Sequence, residues 1–302
     1  MEVLTLSQVS KSFGTKKVVE DLNLNLEEHK IFGFVGQNGA GKTTTMKMIL
    51  GLLRPDRGEI FVNGQKVCFG QTGTSQSIGY LPDVPEFYGF MTPREYLELC
   101  GKMAGMPVEK RRDKVEELLH LVGLFDSNKR IQGFSRGMKQ RLGIAQALLG
   151  DPVLLLCDEP TSALDPLGRK EILDILSDVK KHTTVLFSTH ILSDVERICD
   201  EIAFLHKGRI ALQGTIEEVK GMGKNKGSEI EVEFYQEQEA DEFSAYFSRG
   251  RKKQERVLHF ENQEKQNMFK MMQYLTEHQV AVQRMEVSEP TLEDLFLEVI
   301  GK

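Results

Sequence analysis

Cysteine is scarce in this 302-residue chain, and the four present (Cys68, Cys100, Cys157 and Cys199) stand apart with no C-x-x-C pair. That pattern argues against a disulfide frame or a cysteine zinc site and predicts reduced thiols. No apolar run approaches the roughly 20 residues of a membrane-crossing helix, so no transmembrane segment is expected. The opening MEVLTLSQVSKSF lacks the charged and apolar regions of a secretory signal, so the chain is expected to remain inside the cell. A basic excess is missing too. The net charge of -6 argues against a broad nucleic-acid-binding surface, and no nucleic-acid partner is expected.

What the chain does have is enough apolar material, 40% of residues, for the packed cores of two domains. Its charge is unevenly placed: residues 1–222 carry 28 Lys and Arg against 29 Asp and Glu, and residues 223–302 carry 11 against 16. The break falls at GMGKNKG, residues 221–227, whose glycine and lysine content reads as a linker. We therefore expect one domain over 1–222 and a smaller one over 223–302.

The most informative stretch is GFVGQNGAGKTTTMK, residues 33–47. Ordering glycine is entropically costly, so Gly36, Gly39 and Gly41 at one spot need a reason. The pattern G-x-x-x-x-G-K-[ST] supplies one: backbone N–H groups curl around a phosphate and Lys42 adds positive charge to the outer phosphates. Thr43 offers a hydroxyl to Mg²⁺, and a helix starting there aims its positive end at the anion. The flanks agree, since KIFGFVG reads as a buried strand and TTTMKMILGLL as a helix with an apolar face.

IFGFVG, VLLLC, TTVLFS and EIAFLHKG are strand candidates, and their continuous apolarity fits a parallel α/β sheet covered on both faces. Ligands in such sheets sit at the carboxyl ends of the strands. Asp158 and Glu159 emerge at one such end, where adjacent carboxylates are costly without a use. Beside a phosphate loop, Asp158 suits a Mg²⁺ ligand and Glu159 a base that polarises an attacking water. His190 closes a further strand, where its imidazole could hold the water, the γ-phosphate or Glu159.

The order GQNGAGKT, FSRGMKQR, LLLCDEPTSALD and STH resembles the ATP-binding cassette ATPases, the motor subunits of ABC transporters, over residues 1 to about 220. The resemblance implies a mostly parallel core sheet with a helical subdomain at about 84–150, and ATP and Mg²⁺ as cofactors. It implies that Gly36, Asn38, Gly39, Ala40, Gly41, Lys42, Thr43 and Thr44 belong to the phosphate loop. Asp158 and Glu159 close the second motif, Ser162 to Asp165 form the D-loop, His190 is the switch histidine, and Phe13 is the aromatic that stacks on adenine. The catalytic set is then Glu159, His190 and Lys42, with Thr43, Asp158 and Asp83 toward the metal.

Two motifs depart from the family pattern. The signature, usually leucine, serine, two glycines and glutamine, here reads Phe134, Ser135, Arg136, Gly137 and Met138. Ser135 and Gly137 retain a hydroxyl and a bare N–H at a helix start, able to bind an anion. In the family this segment completes the ATP site of the opposite subunit, so a chain with one copy of each motif implies a dimer, expected to be a homodimer, and the D-loop Asp165 is counted with Ser135 and Gly137 among the ATP-binding residues. Asp83 stands where the family places a glutamine; its carboxylate can still ligate Mg²⁺. These substitutions resemble the drug- and peptide-antibiotic-exporter (ABC-2 type) branch.

TPREYLELCGKMAG and KRRDKVEELLHLVGL carry helical periodicity. By the resemblance, Phe87, Tyr88 and Phe90 before them help form a groove for a cytoplasmic helix of a membrane-spanning permease. Beyond residue 228 the alternation of SEIEVEFYQ, RVLHFEN and VAVQRMEVS predicts strands, and ADEFSAYFSRG, QNMFKMMQYLTEH and the tail predict helices, giving a small α+β domain with no catalytic constellation. The expected function is an ATPase that dimerises around Mg·ATP and powers export through a separate permease at the cytoplasmic face of the membrane. The alternative is an ATP switch acting on a ribosomal, DNA or regulatory partner.

Overall fold

The computed structural model describes residues 1–71, 73–224, 228–247, 251–262, 265–288 and 291–301. Two compact units emerge, Met1–Ile216 and Glu217–Lys302. The first begins with β1 (Glu2–Phe13), β2 (Lys16–Glu27), β3 (Ile31–Val35), α1 (Lys42–Ile49), β4 (Arg57–Val62), β5 (Gln65–Lys66) and β6 (Ile78–Leu81). Three helices follow, α2 (Pro93–Met103), α3 (Val108–Leu121) and α4 (Arg136–Leu148). It continues with β7 (Leu154–Asp158), α5 (Pro166–Val179), β8 (Thr184–Thr189), α6 (Leu192–Ile198), β9 (Glu201–His206) and β10 (Arg209–Thr215).

Two sheets result. β2, β1, β4 and β5 form an antiparallel sheet in that order, which the sequence pattern alone does not reveal. Its strands alternate: Leu22, Leu24 and Leu26 of β2 are buried while Asn23 and Asn25 are exposed. Slipping that register by one residue would turn all three leucines to solvent. The second sheet runs β10-β9-β3-β8-β7-β6, parallel except for β10 on β9. Its inner strands are the continuous apolar runs, with every residue of β3, β7 and β8 buried. Leu4 and Leu24 from one sheet join Phe32, Phe34 and Leu156 from the other, with Met46 of α1, in one core. Each such buried side chain contributes about 1.5–3 kcal/mol relative to exposure.

Register positions the site. Val35 pairs with Thr189, Asp158 with Ser188, and Leu81 with Cys157, so the carboxyl ends of β3, β8, β7 and β6 lie level. Whatever follows each strand therefore meets at one edge of the sheet.

The second unit holds β11 (Ser228–Phe234), α8 (Glu237–Tyr246), β12 (Arg251–Gln254), β13 (Val257–Asn262), α9 (Lys265–Glu277), β14 (Val282–Ser288) and α10 (Leu292–Gly301), preceded by α7 (Ile216–Lys224). Its antiparallel sheet, β12-β13-β11-β14, packs Ile230, Val232 and Phe234 against Phe243 of α8 and Met271 of α9. The methionine-rich face of α9 is thus core at Met271, whereas Met272 is 49% exposed. Of the stretch read as a linker, residues 221–224 are helical, and residues 225–227 lie outside the described residues.

Candidate functional site

The loop after β3 needs its glycines for distinct reasons. A Cβ on Gly36 would lie 2.6 Å from Leu205 O, and one on Gly41 2.8 Å from Val18 O. Gly39 has open space around it but a φ of +82°, which only glycine adopts without strain. Helix α1 starts directly after Gly41 with no side-chain cap, so its first N–H groups remain available to an anion. Lys42 is 6% exposed, and its Nζ donates to Gly36 O at 2.6 Å and lies 3.2 Å from Glu159 Oε1.

Asp158, at the end of β7, is buried, and both of its hydrogen bonds come from neutral hydroxyls: Thr43 Oγ1 donates to Oδ2 at 2.7 Å and Ser188 Oγ to Oδ1 at 2.6 Å. Glu159 has a φ of +49°, a left-handed conformation that costs a non-glycine residue about 1–2 kcal/mol. Its N–H donates to Ser188 O at 3.0 Å, which holds that conformation against β8. His190 Nδ1 sits 2.8 Å from Glu159 Oε2. Glu159 Oε1, buried, makes no hydrogen bond.

A cleft of about 450 Å³ opens beside these groups, and His190 reaches it only through Glu159. Asn38, Gly39, Gly41, Lys42, Thr43, Thr44, Asp83, Asp158 and Glu159 line it, together with Lys16 and Val18. Gly36 and Ala40 complete the loop behind it, with Ala40 8% exposed. Phe13, Ser135, Gly137 and Asp165 do not line the cleft. The Phe13 ring is 51% exposed and has Lys11 Nζ 5.6 Å from its centroid. Ser135 and Asp165 cap helices: Ser135 Oγ accepts from Met138 N at 3.2 Å, and Asp165 Oδ1 from Gly168 N at 3.1 Å.

Sequence reasoning missed Ser188, Lys16 and Asp194. A serine near the end of an apolar run is a weak sign, and only the β7–β8 register reveals that it faces Asp158. Asp194 on α6 is buried, which raises its carboxyl above the usual range, and it accepts from Thr161 Oγ1 at 2.7 Å. That bond ties the helix after His190 to the turn after Glu159. Tyr80 of β6 is pushed up to about 12, first by burial and then by the Asp158 charge, so its hydroxyl stays neutral. Ser188→Ala removes one donor from a buried carboxylate and is expected to destabilise the fold by about 1–3 kcal/mol in urea unfolding. An unchanged midpoint would mean that Asp158 finds another donor.

The ABC transporter family matches residues 19–162, and the C-terminal domain of ATP-binding protein DrrA1-3-like matches residues 214–300. The chain is 43% identical to the uncharacterized ABC transporter ATP-binding protein YxlF of Bacillus subtilis (strain 168), over 72% of each chain. It is 34% identical to the bacitracin transport ATP-binding protein BcrA of Bacillus licheniformis, over 99% of this chain and 97% of that one. A dimeric structure of a post-hydrolysis state of the ATP-binding cassette MJ0796, bound to ADP and Pi, superposes with a TM-score of 0.63 at 26% identity, over 70% of this chain and 98% of that one. A phosphate loop, paired carboxylates and a histidine at one sheet edge, on a chain similar to BcrA from end to end, place it in a single family: it belongs to the ATP-hydrolysing, ATP-binding proteins of ABC transporters, in the branch that carries a DrrA-like C-terminal domain.

Proposed function

We propose that this chain is the motor of an exporter: two copies close around two Mg·ATP and drive a separate membrane-spanning permease at the cytoplasmic face of the membrane. The observation that carries the reading is the meeting of Lys42, Thr43, Asp158, Glu159 and His190 at the level ends of β3, β7 and β8. Lys42 and the first turn of α1 bind the phosphates. Glu159 takes a proton from the attacking water, and His190 holds Glu159 in place. Phe13 offers its exposed ring to adenine.

The donor set fits Mg²⁺. Asp158 is a buried carboxylate hydrogen-bonded only by hydroxyls, beside the hard oxygen of Thr43; Asp83, expected toward the metal, lines the same cleft with its carboxylate paired to Arg136. Among the described residues no cluster of three or more His, Cys, Asp or Glu could hold a metal. The ion therefore needs phosphate oxygens as further ligands, the usual arrangement for Mg²⁺. When bound it neutralises charge on the phosphates.

Gly137 supports the paired arrangement. A Cβ there would meet only Leu164 Cδ2, at 3.9 Å, so nothing among the described residues of this chain requires a glycine. That open space at the start of α4 leaves room for a phosphate approaching from a second copy, with Ser135 beside Gly137 and Asp165 on the D-loop serving that copy's site. Export of a peptide or drug-like compound is supported by likeness to the bacitracin transport protein along nearly the whole chain. Affinity capture of the chain from detergent-solubilised native membranes is expected to recover a polytopic membrane protein. Recovery of soluble partners alone, from a preparation that keeps other membrane complexes intact, would favour the ATP switch.

A groove of about 550 Å³, lined by Asp83, Phe87, Gly89, Gln132 and Arg136 among others, is where we place the permease helix. Of the three aromatics only Phe87 lines that groove, packed edge-on to Tyr96 with centroids 5.1 Å apart; Tyr88 meets the same Tyr96 ring at 6.2 Å and stacks on Phe90, and these two are 55% and 61% exposed. Changing Tyr88 and Phe90 to alanine leaves the Phe87–Tyr96 contact in place and removes the exposed aromatic pair next to Phe87. It is expected to weaken permease capture by about 10-fold or more with ATP binding retained. Unaltered capture would move the docking surface elsewhere.

A further inference from the structure

Asp83 and Arg136, two departures from the family pattern 53 residues apart, meet in space: Arg136 Nη2 donates to Asp83 Oδ1 at 2.9 Å. Each charge is unfavourable where it stands. Asp83 lines a cleft that already holds Asp158 and Glu159, and a polyphosphate brings further negative charge there. Arg136 is the first residue of α4, directly after the cap Ser135, where a cation meets the positive end of the helix dipole. Facing each other, the two charges cancel. The neutral glutamine and glycine usual at these positions could not form the pair.

The pair also has a fixed frame. Gln140 of α4, fully buried, donates from Nε2 to Asp83 O at 2.6 Å, so the backbone after β6 is held to α4 independently of the ion pair. Removing one charge should therefore alter the field in the cleft with little movement of the wall. The side chains of Arg136 and Asp83 are 40% and 47% exposed, and an ion pair so placed adds little to fold stability. Its consequence falls on the ligand.

We infer that Arg136 is a charge-compensating residue of the nucleotide cleft, which lets a carboxylate occupy the cleft wall without repelling the incoming phosphates. The inference rests on the cleft being the ATP site. An uncompensated charge several ångströms from a polyanion, at intermediate dielectric, corresponds to a loss of about 3- to 10-fold in affinity.

The test is equilibrium binding of ATP to the full chain carrying substitutions at these two positions. Arg136→Gln is expected to bind ATP about 3- to 10-fold more weakly with an unchanged melting temperature, and Arg136→Lys to restore most of the loss. In an Asp83→Gln background, which keeps a carbonyl oxygen at the position, the same Arg136→Gln change is expected to shift affinity less than about 2-fold. The native-background shift should also shrink as salt rises from about 0.05 to 0.5 M. Equal shifts in both backgrounds, or none in either, overturn the inference. Lys42→Ala, measured alone and combined with Glu159→Gln, separates the two levels. If both fail to bind while Arg136→Gln changes nothing, compensation is wrong and the ATP site stands; if Lys42→Ala itself binds ATP normally, the site is wrong and the inference falls with it.

Discussion

Glu159→Gln is expected to bind ATP about as tightly as the native chain and to hydrolyse it about 10²- to 10⁴-fold more slowly. The substitution is nearly isosteric, and the hydrogen bonds that hold the left-handed backbone of residue 159 come from its own N–H to Ser188, so the strained geometry survives. What disappears is the carboxylate. His190 Nδ1, 2.8 Å from Glu159 Oε2, can still bond an amide oxygen, but no group remains at that position to take a proton from water. Binding is spared because Lys42 loses a competing anion 3.2 Å away and is left freer for phosphate. Steady-state phosphate release, read with equilibrium nucleotide binding, separates the two effects. Native turnover in Glu159→Gln would assign the base to another residue. Because ATP is retained and not consumed, the variant is also expected to elute as a dimer when ATP is present.

The parts of this site legible in the sequence are those whose chemistry is local. Three glycines, a lysine and two hydroxyls within the nine residues 36–44 specify a phosphate loop by themselves, since each acts close to its own place in the chain. Asp158, Glu159 and His190 are legible because a buried run followed at once by a carboxylate or an imidazole marks the end of a parallel strand. The antiparallel sheet is less visible: β1 and β2 alternate plainly, yet the sheet is completed only when β1 pairs with β4, more than 40 residues downstream.

Long-range register hides the rest. Ser188 reads as an ordinary polar residue until β7 and β8 are aligned, and Lys16 reads as surface charge until the loop after β3 is seen beside it. Arg136 and Asp83 each look like an anomaly in isolation, and their contact is a property of the fold alone. The first four residues of the stretch read as a linker are helical for a related reason, residues 225–227 lying outside the described residues. Glycine and lysine raise the local cost of a helix, but residues 221–224 continue α7, in which Val219 is fully buried, and burial outweighs a weak propensity.

Lys42→Ala is expected to lose ATP binding by about 100-fold or more, and its physical origin is twofold. The ammonium supplies the cation that faces the outer phosphates, and without it the cleft keeps Asp83, Asp158 and Glu159 with Lys16 as the remaining lysine among the described residues that line it. The second cost is in the ligand-free fold. Lys42 Nζ lies 3.2 Å from Glu159 Oε1, a buried atom with no hydrogen bond, so truncation strands a carboxylate in a poorly solvated site at about 3–5 kcal/mol. A loss of binding in Lys42→Ala alone could therefore reflect a disturbed loop. Combining it with Glu159→Gln removes the stranded charge, and the double variant is expected to recover most of the lost stability in urea unfolding. It should still fail to bind ATP, because the phosphates need the cation and the isolated loop amides do not replace it. Recovery of binding in the double variant would mean that Lys42 serves mainly to neutralise Glu159, and normal affinity in Lys42→Ala itself would remove the residue from the nucleotide site.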